Sequence, residues 1–199
     1  MWTAAILAGG RARRLGGLDK SALPVGERSV LDRQLGMLRA LTPHILIVGR
    51  DDLSYREAGV PVVVDRIAGG ALGGLYTALM AAPTQQIIVM ACDMPFLTAP
   101  FLVHLAARGA GVDAAIPRDD RGWHPLSASW VRSAAPQLRA RIDAGALRIV
   151  DATAELDVRE IGPAELASFD PDGRLLVNIN TPDDYTRALE AAEPPPRIV

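Results

Sequence analysis

Apolar positions come in short blocks along this chain, and most of the blocks are separated by glycine, proline or acidic residues. The first, Thr3-Ala4-Ala5-Ile6-Leu7, reads as a buried strand and stops at a long stretch of glycine and arginine. Residues 30–41 then place Val30, Leu31, Leu35, Leu38 and Leu41 at helical spacing, with Ser29 set to cap the start. Second and third strands are predicted over 44–48 and 60–64, closed by Gly49 and by Asp65. Gly69-Gly70-Ala71-Leu72-Gly73-Gly74 reads as a flexible loop leading into a helix over 75–82. Residues 86–91 contain the continuous run Ile87-Ile88-Val89-Met90, the pattern of a strand buried on both faces of a parallel sheet. A helix over 101–108 and a strand over 114–117 follow. Strand and helix in alternation predict an α/β fold: a mostly parallel sheet with helices on both faces.

The second half is less regular. Strands are predicted over 126–131, 158–161 and 175–178, with a helix over 134–144. Thr181, Pro182, Asp183 and Asp184 carry the signals of a last helix: a capping hydroxyl, proline at the first position and acids in the first turn. Pro194-Pro195-Pro196 cannot continue it, so the expected organisation is one domain over 1–193 and a flexible proline-rich tail over 194–199. No repeat or linker divides the chain.

Composition narrows the class. With 199 residues, 49% of them hydrophobic, the chain can build one substantial core. A net charge of −2 gives no reason to expect nucleic acid as the main partner. Cys92 is the only cysteine, which excludes a disulfide framework and fits a reducing, cytoplasmic setting. His44, His104 and His124 are too scattered for metal-ligand spacing. The apolar runs fall well short of the ~20 residues of a membrane span, and the first of them has no basic region before it, so neither a membrane segment nor a secretory signal is expected.

The segment after the first strand carries the chemistry. Gly9, Gly10, Gly16 and Gly17 alternate with cations that include Arg14 and Lys20. Glycines let backbone approach a ligand closely, and the exposed N–H groups of such a loop can cradle phosphate oxygens. At the carboxyl end of a strand in an α/β sheet this is where a nucleotide sits. The P-loop does not fit, because Lys20 follows Asp19 rather than glycine and Pro24 is too near for a helix to start. The dinucleotide fingerprint does not fit either, because the glycine spacing is wrong and no acid stands near Arg39.

The run Leu7-Ala8-Gly9-Gly10, Arg14, Gly16-Gly17, Asp19-Lys20 resembles the L-A-G-G-x-x-x-R-x-G-G-x-D-K opening of the molybdenum cofactor guanylyltransferases. A looser form of that pattern is shared across the nucleotidyltransferase superfamily. The doubled Gly16-Gly17 and the Asp19-Lys20 step point to the molybdopterin branch. The resemblance continues along nearly the whole chain. It implies a single-domain three-layer α/β/α nucleotidyltransferase fold with a Rossmann-like N-terminal half.

Asp93 follows the fourth strand directly. A carboxylate there is costly unless it has a cationic partner or faces the cleft, and it suits either a Mg²⁺ ligand or a helix cap. Cys92-Asp93-Met94-Pro95-Phe96 is similar to the family's C-D-x-P-Φ segment, which implies that Asp93 holds the metal. Asp65, at the end of the third strand, suits a turn or helix cap; the resemblance implies instead that it matches an aspartate that contacts the nucleotide in family members. Where the family usually has asparagine at the end of strand two, this chain has Gly49. Val177-Asn178-Ile179-Asn180-Thr181-Pro182-Asp183 resembles the family's N-x-N-T-P-E/D motif, and strand alternation would put Asn178 and Asn180 on one face. Turn chemistry before a helix is the other reading of those asparagines. Trp123-His124-Pro125 falls where relatives carry a His-Pro pair near the acceptor, although a lone histidine such as His124 more often has a structural role.

The resemblance implies GTP and molybdenum-molybdopterin as substrates, Mg²⁺ as cofactor, and molybdoenzymes or their chaperones as further partners. Lys20, Arg14 and Asp93 are the expected catalytic residues. Leu7, Ala8, Gly9, Gly10, Lys20, Asp65, Asp93, Asn178 and Asn180 are expected to bind the ligands, with main chain at 7–9 and 69–74 reading the base. A cytidylyltransferase for the same cofactor, a sugar-phosphate nucleotidyltransferase and a non-catalytic nucleotide-binding module are the alternatives that the residues leave open.

Overall fold

Residues 2–7 alternate between two apolar environments, Ala4 and Ile6 facing one way and Ala5 and Leu7 the other, so the first strand can only sit inside a sheet covered on both faces. The computed structural model, which describes residues 1–8, 20–49, 55, 57–65 and 67–192, places it there. In chain order the elements are β1 (Trp2–Leu7), a short hairpin of β2 (Pro24–Val25) and β3 (Arg28–Ser29), α1 (Val30–Arg39), β4 (Ile45–Gly49), β5 (Val62–Val64), α2 (Gly70–Ala81), β6 (Gln86–Ala91) and α3 (Ala99–Arg108). They continue with β7 (Ala114–Asp119), β8 (Gly122–Trp123), β9 (Ser127–Val131), α4 (Ala135–Asp143), the single turn α5 (Ile149–Ala152), β10 (Val158–Ile161), the single turn α6 (Pro163–Leu166) and α7 (Pro182–Ala192).

The main sheet has the order β10-β7-β9-β6-β1-β4-β5, with β8 paired to the end of β7. β5, β4, β1 and β6 run parallel, and β9 is reversed between β6 and β7. The expected mostly parallel sheet is therefore present, with two antiparallel members, β9 and the short β8, that the sequence pattern does not announce. α1 and α3 pack with one apolar layer, containing Leu31, Leu35, Phe101 and Leu105. α2 and α4 pack with the other, containing Leu72, Leu75, Leu138 and the fully buried Trp130. This is the α/β/α arrangement. Among the described residues no helix is long and apolar enough to cross a membrane.

The chain leaves β1 through α1 to reach β4 on one side, then returns through α2 to β6 on the other. The carboxyl ends of β1, β4, β5 and β6 thus gather on one edge, around the point where the strand order reverses, which is where an open α/β sheet binds its ligand. Backbone pairing continues past the strands: Ala8 N–H donates to the Val48 carbonyl at 2.8 Å, Asp65 N–H to that of Gly49 at 3.1 Å, and Cys92 N–H to that of Leu7 at 3.1 Å.

Two predicted elements differ. The helix expected to begin near residue 75 begins at Gly70, so the glycine-rich stretch forms its first turns rather than a loose loop. Residues 175–178 form no strand. Leu175 and Leu176 are buried, but a turn fixed by Asp170, whose carboxylate accepts from the N–H groups of Arg174 at 2.6 Å and Leu175 at 2.9 Å, takes the chain out of any ladder. The α7 cap is as expected: Thr181 Oγ1 accepts from Asp184 N–H at 3.1 Å, and Asp184 returns a carboxylate oxygen to Thr181 N–H at 2.9 Å. The tail over 194–199 lies outside the described residues.

Candidate active site

Asp93 leaves β6 two residues after its end, in a turn held from α1. Gln34 is buried and its amide nitrogen donates to the carbonyls of Ala91 at 2.9 Å and Met94 at 3.1 Å, bracketing Asp93. Lys20 opens a short 3-10 turn, Lys20–Ala22, and reaches across the strand ends. Its ammonium lies 3.0 Å from Asp93 Oδ2 and 2.5 Å from Asn180 Oδ1. Asn180 is brought in by main chain on both sides: Ile179 N–H donates to the Asp93 carbonyl at 2.9 Å, and Asn180 N–H donates to Asp184 at 3.0 Å. Burial works against the charge of Asp184, but hydrogen bonds from Thr181 and from the N–H groups of Asn180 and Thr181 outweigh it and hold its carboxyl below the ordinary range.

Two cavities meet at this triad. One, of about 280 Å³, is bounded by Leu7, Lys20, Gly49, Asp65, Asp93 and the first turns of α2. The other, of about 500 Å³, is bounded by Trp123, His124, Arg148, Asn178, Asn180 and Asp93. They share Ala71, Ala91, Asp93 and Leu126 as a common wall. Asn178 and Asn180 do face one cavity, although the segment that carries them is not a strand.

Asp65 sits at the first cavity, with Oδ1 accepting from Ile67 N–H at 3.1 Å and from Thr77 Oγ1 at 2.9 Å. It ties the end of β5 to α2. The helix approaches closely because Gly73 permits it: a Cβ there would lie 2.8 Å from the Ile67 carbonyl oxygen, whereas one at Gly74 would find nothing nearer than 3.8 Å. Gly73→Ala is therefore expected to destabilise the protein by about 1–3 kcal/mol through forced displacement, exceeding the ~1 kcal/mol that alanine gains in a helix. Gly74→Ala should be neutral or better. Thermal melts of the two variants decide it, and equal stability would remove the close approach as the reason for Gly73.

Gly49 has a similar contact. A Cβ on it would come 3.2 Å from the Ala8 carbonyl carbon and 3.3 Å from its oxygen. A side chain at the end of β4 requires Ala8 to give way, which is the physical counterpart of the missing asparagine. Leu7 lines the first cavity, and the Ala8 carbonyl accepts from the buried Tyr55 hydroxyl at 3.1 Å. Gly9, Gly10 and Arg14 lie outside the described residues.

His124 faces the second cavity with its Nε2 2.8 Å from Asp119 Oδ1. Burial opposes the Asp119 charge, but His124 and Arg121 together keep its carboxyl below the ordinary range. Gln34, Thr77 and Asp119, which hold site residues in place, are absent from the sequence reading, and Asp184 enters it only as a first-turn acid of the last helix. Of the first three only Gln34 left a signal: a polar residue among Leu31, Leu35 and Leu38 on the apolar face of α1.

Among the described residues no group of three or more histidine, cysteine or acidic side chains could hold a metal ion. A cation at this site would take one protein carboxylate and draw its other ligands from substrate oxygens, as Mg²⁺ does at phosphate sites. Asp93 fits that part: it lies on the wall that both cavities share, and its buried Oδ1 has no hydrogen-bond partner among the described residues, so a cation that displaced the ammonium would find the whole carboxylate uncommitted.

Comparisons with known proteins bear on the family and the fold. Residues 4–158 match the model of the MobA-like NTP transferase domain. A probable molybdenum cofactor guanylyltransferase of Pelotomaculum thermopropionicum is 34% identical over 200 residues, covering 96% of this chain and 93% of the relative. Molybdopterin-guanine dinucleotide biosynthesis protein A of Archaeoglobus fulgidus superposes with a TM-score of 0.83 at 31% identity, covering 96% of this chain and 98% of that one. A Mycobacterium tuberculosis protein, crystallised in complex with manganese, has the same fold with a TM-score of 0.70 at 24% identity, covering 96% and 98% of the two chains.

Proposed function

The chain belongs to the MobA-like NTP transferase domain family, and from that premise we propose that it transfers GMP from GTP to the terminal phosphate of molybdenum-molybdopterin, releasing pyrophosphate. The observation that supports this most is the placement of Lys20, Asp93 and Asn180 at the junction of two cavities. A transfer reaction needs donor and acceptor on opposite sides of one phosphorus, with positive charge between them. In this reading the nucleotide takes the cavity beside Asp65 and α2, and the acceptor takes the cavity beside Trp123, His124, Asn178 and Asn180.

The acceptor's phosphate is ionised at neutral pH and is already a nucleophile, so no general base is needed. Catalysis reduces to alignment and charge stabilisation. Lys20 neutralises charge on the transferring phosphate, and Arg14, from the glycine loop, supplies a second cation. Asn178 and Asn180 orient the acceptor with neutral amides. Asp93 would hold Mg²⁺, whose bound charge withdraws electron density from the phosphate oxygens. Asp65 and the main chain over 69–74, together with 7–10, form the nucleoside wall. The same reading makes residues 1–193 a single catalytic unit in the cytoplasm, with molybdoenzymes or their chaperones receiving the product.

Base choice is expected to favour GTP. A site built to hydrogen-bond one base rejects another strongly, because its own polar groups are left unpaired. With Gly49 giving no side chain, the main chain of the α2 first turns carries that discrimination. Incubating the protein with molybdopterin, Mg²⁺ and labelled GTP or CTP tests the whole reading. Guanylylated cofactor is the expected product. Faster turnover with CTP would make the enzyme a cytidylyltransferase, and no product from either would leave a binding module.

A further inference from the structure

The Asp93 carboxylate is closed at both oxygens. Oδ2 carries the Lys20 ammonium at 3.0 Å, and Oδ1 is shielded from solvent without a hydrogen-bond partner among the described residues. Both side chains are only 15% exposed, so solvent screens the pair weakly. The ammonium is also held by Asn180 Oδ1 at 2.5 Å, and Asn180 is itself anchored through Asp184. A divalent cation arriving alone would therefore have to evict a bound ammonium from the one carboxylate it needs. A nucleotide phosphate presents the ammonium with an alternative anion in the adjoining cavity, which Lys20 also lines.

We propose that Lys20 is the resident counter-ion of Asp93 in the ligand-free protein and keeps a divalent cation off it until a nucleotide phosphate draws the ammonium away. The cation then enters with the nucleotide rather than before it. This rests on the reading of Asp93 as the metal ligand, but it adds an order of binding that the reading alone does not contain. Lys20 acquires a second role opposite in sign to its first: it assists the transferring phosphate and opposes the free metal.

The test is Mn²⁺ binding to the full-length, nucleotide-free protein, read from the electron paramagnetic resonance signal of free Mn²⁺. Lys20→Met should bind Mn²⁺ on the order of 10-fold more tightly than the parent, because a partly buried competing ion pair has been removed. Lys20→Gln, also uncharged, should behave the same way and covers a folding failure of the first variant. Arg148→Met removes a cation from the other cavity that Asp93 lines, without touching Asp93, and should leave the affinity within about twofold, as expected of an exposed charge. Parent and Lys20 variants binding equally, or Arg148→Met tightening as much as Lys20→Met, would overturn the proposal. Equilibrium dialysis of labelled GTP in excess chelator should show binding to the parent; binding only after Mn²⁺ is supplied would overturn the order. Adding Asp93→Asn to Lys20→Met should abolish the gained affinity. Tight Mn²⁺ binding that survives in the double variant would instead show that the metal is held elsewhere, which is failure of the underlying reading.

Discussion

Lys20→Ala is expected to lower nucleotidyl transfer by about 100- to 1,000-fold, the usual loss when one preorganised charge is removed from developing phosphate charge. Lys20 touches Asp93 and Asn180 at the rim of the strand ends and contributes nothing to either large apolar layer. The fold should therefore survive, and circular dichroism with a thermal melt checks that it does. Steady-state turnover with GTP and molybdopterin gives the kinetic result. A variant that turns over near the parental rate would take Lys20 out of the mechanism. Tighter cation binding beside a lower rate would distinguish this lysine from a residue whose loss merely loosens the site.

Asp93→Asn should remove metal-dependent turnover, with a loss of at least about 100-fold, because the amide keeps the shape of the side chain but gives a hard cation no anionic oxygen. The bracket formed by Gln34 acts on the carbonyls of Ala91 and Met94 and does not depend on the Asp93 side chain, so the turn is preserved. The measurement is rate against Mg²⁺ concentration for parent and variant. An unchanged dependence would place the metal on other ligands.

How much of this was legible in the sequence follows from where the determining contacts lie. β1 and β6 were readable to within a residue because burial on both faces forces a short, nearly continuous apolar run that stops at a turn signal. Lys20 and Asp93 were readable because each follows such a strand in a segment whose residue types suit phosphate and metal. The start of α2 was misread because clustered glycines look like slack. Here Gly73 answers instead to the Ile67 carbonyl, a contact that no local pattern encodes. Residues 175–178 carry apolar side chains in a run short enough for a strand, but the Asp170 carboxylate captures the backbone N–H groups that open it. Gln34 and Thr77 act on residues brought near by the fold, and their chemistry becomes visible only once the chain is closed; Asp184 is legible as a first-turn acid, but not its hold on Asn180.

The reversal of β9 has a consequence for how such an enzyme can change. Everything on the nucleotide side, from β5 to β6, is built from parallel strands and the helices α1 and α2. Trp123, His124, Arg148 and Asn178 all come from chain laid down after β6 has been completed. Trp130 locks that later half in place by donating its indole N–H to the Pro125 carbonyl at 3.0 Å, behind the rim of the second cavity. On the proposed reading the sheet is a hinge of inheritance rather than of motion. The donor half can stay untouched while the loops beyond β6 are rewritten for a different phosphate-bearing acceptor, with Asp93 as the fixed point where old and new material have to agree.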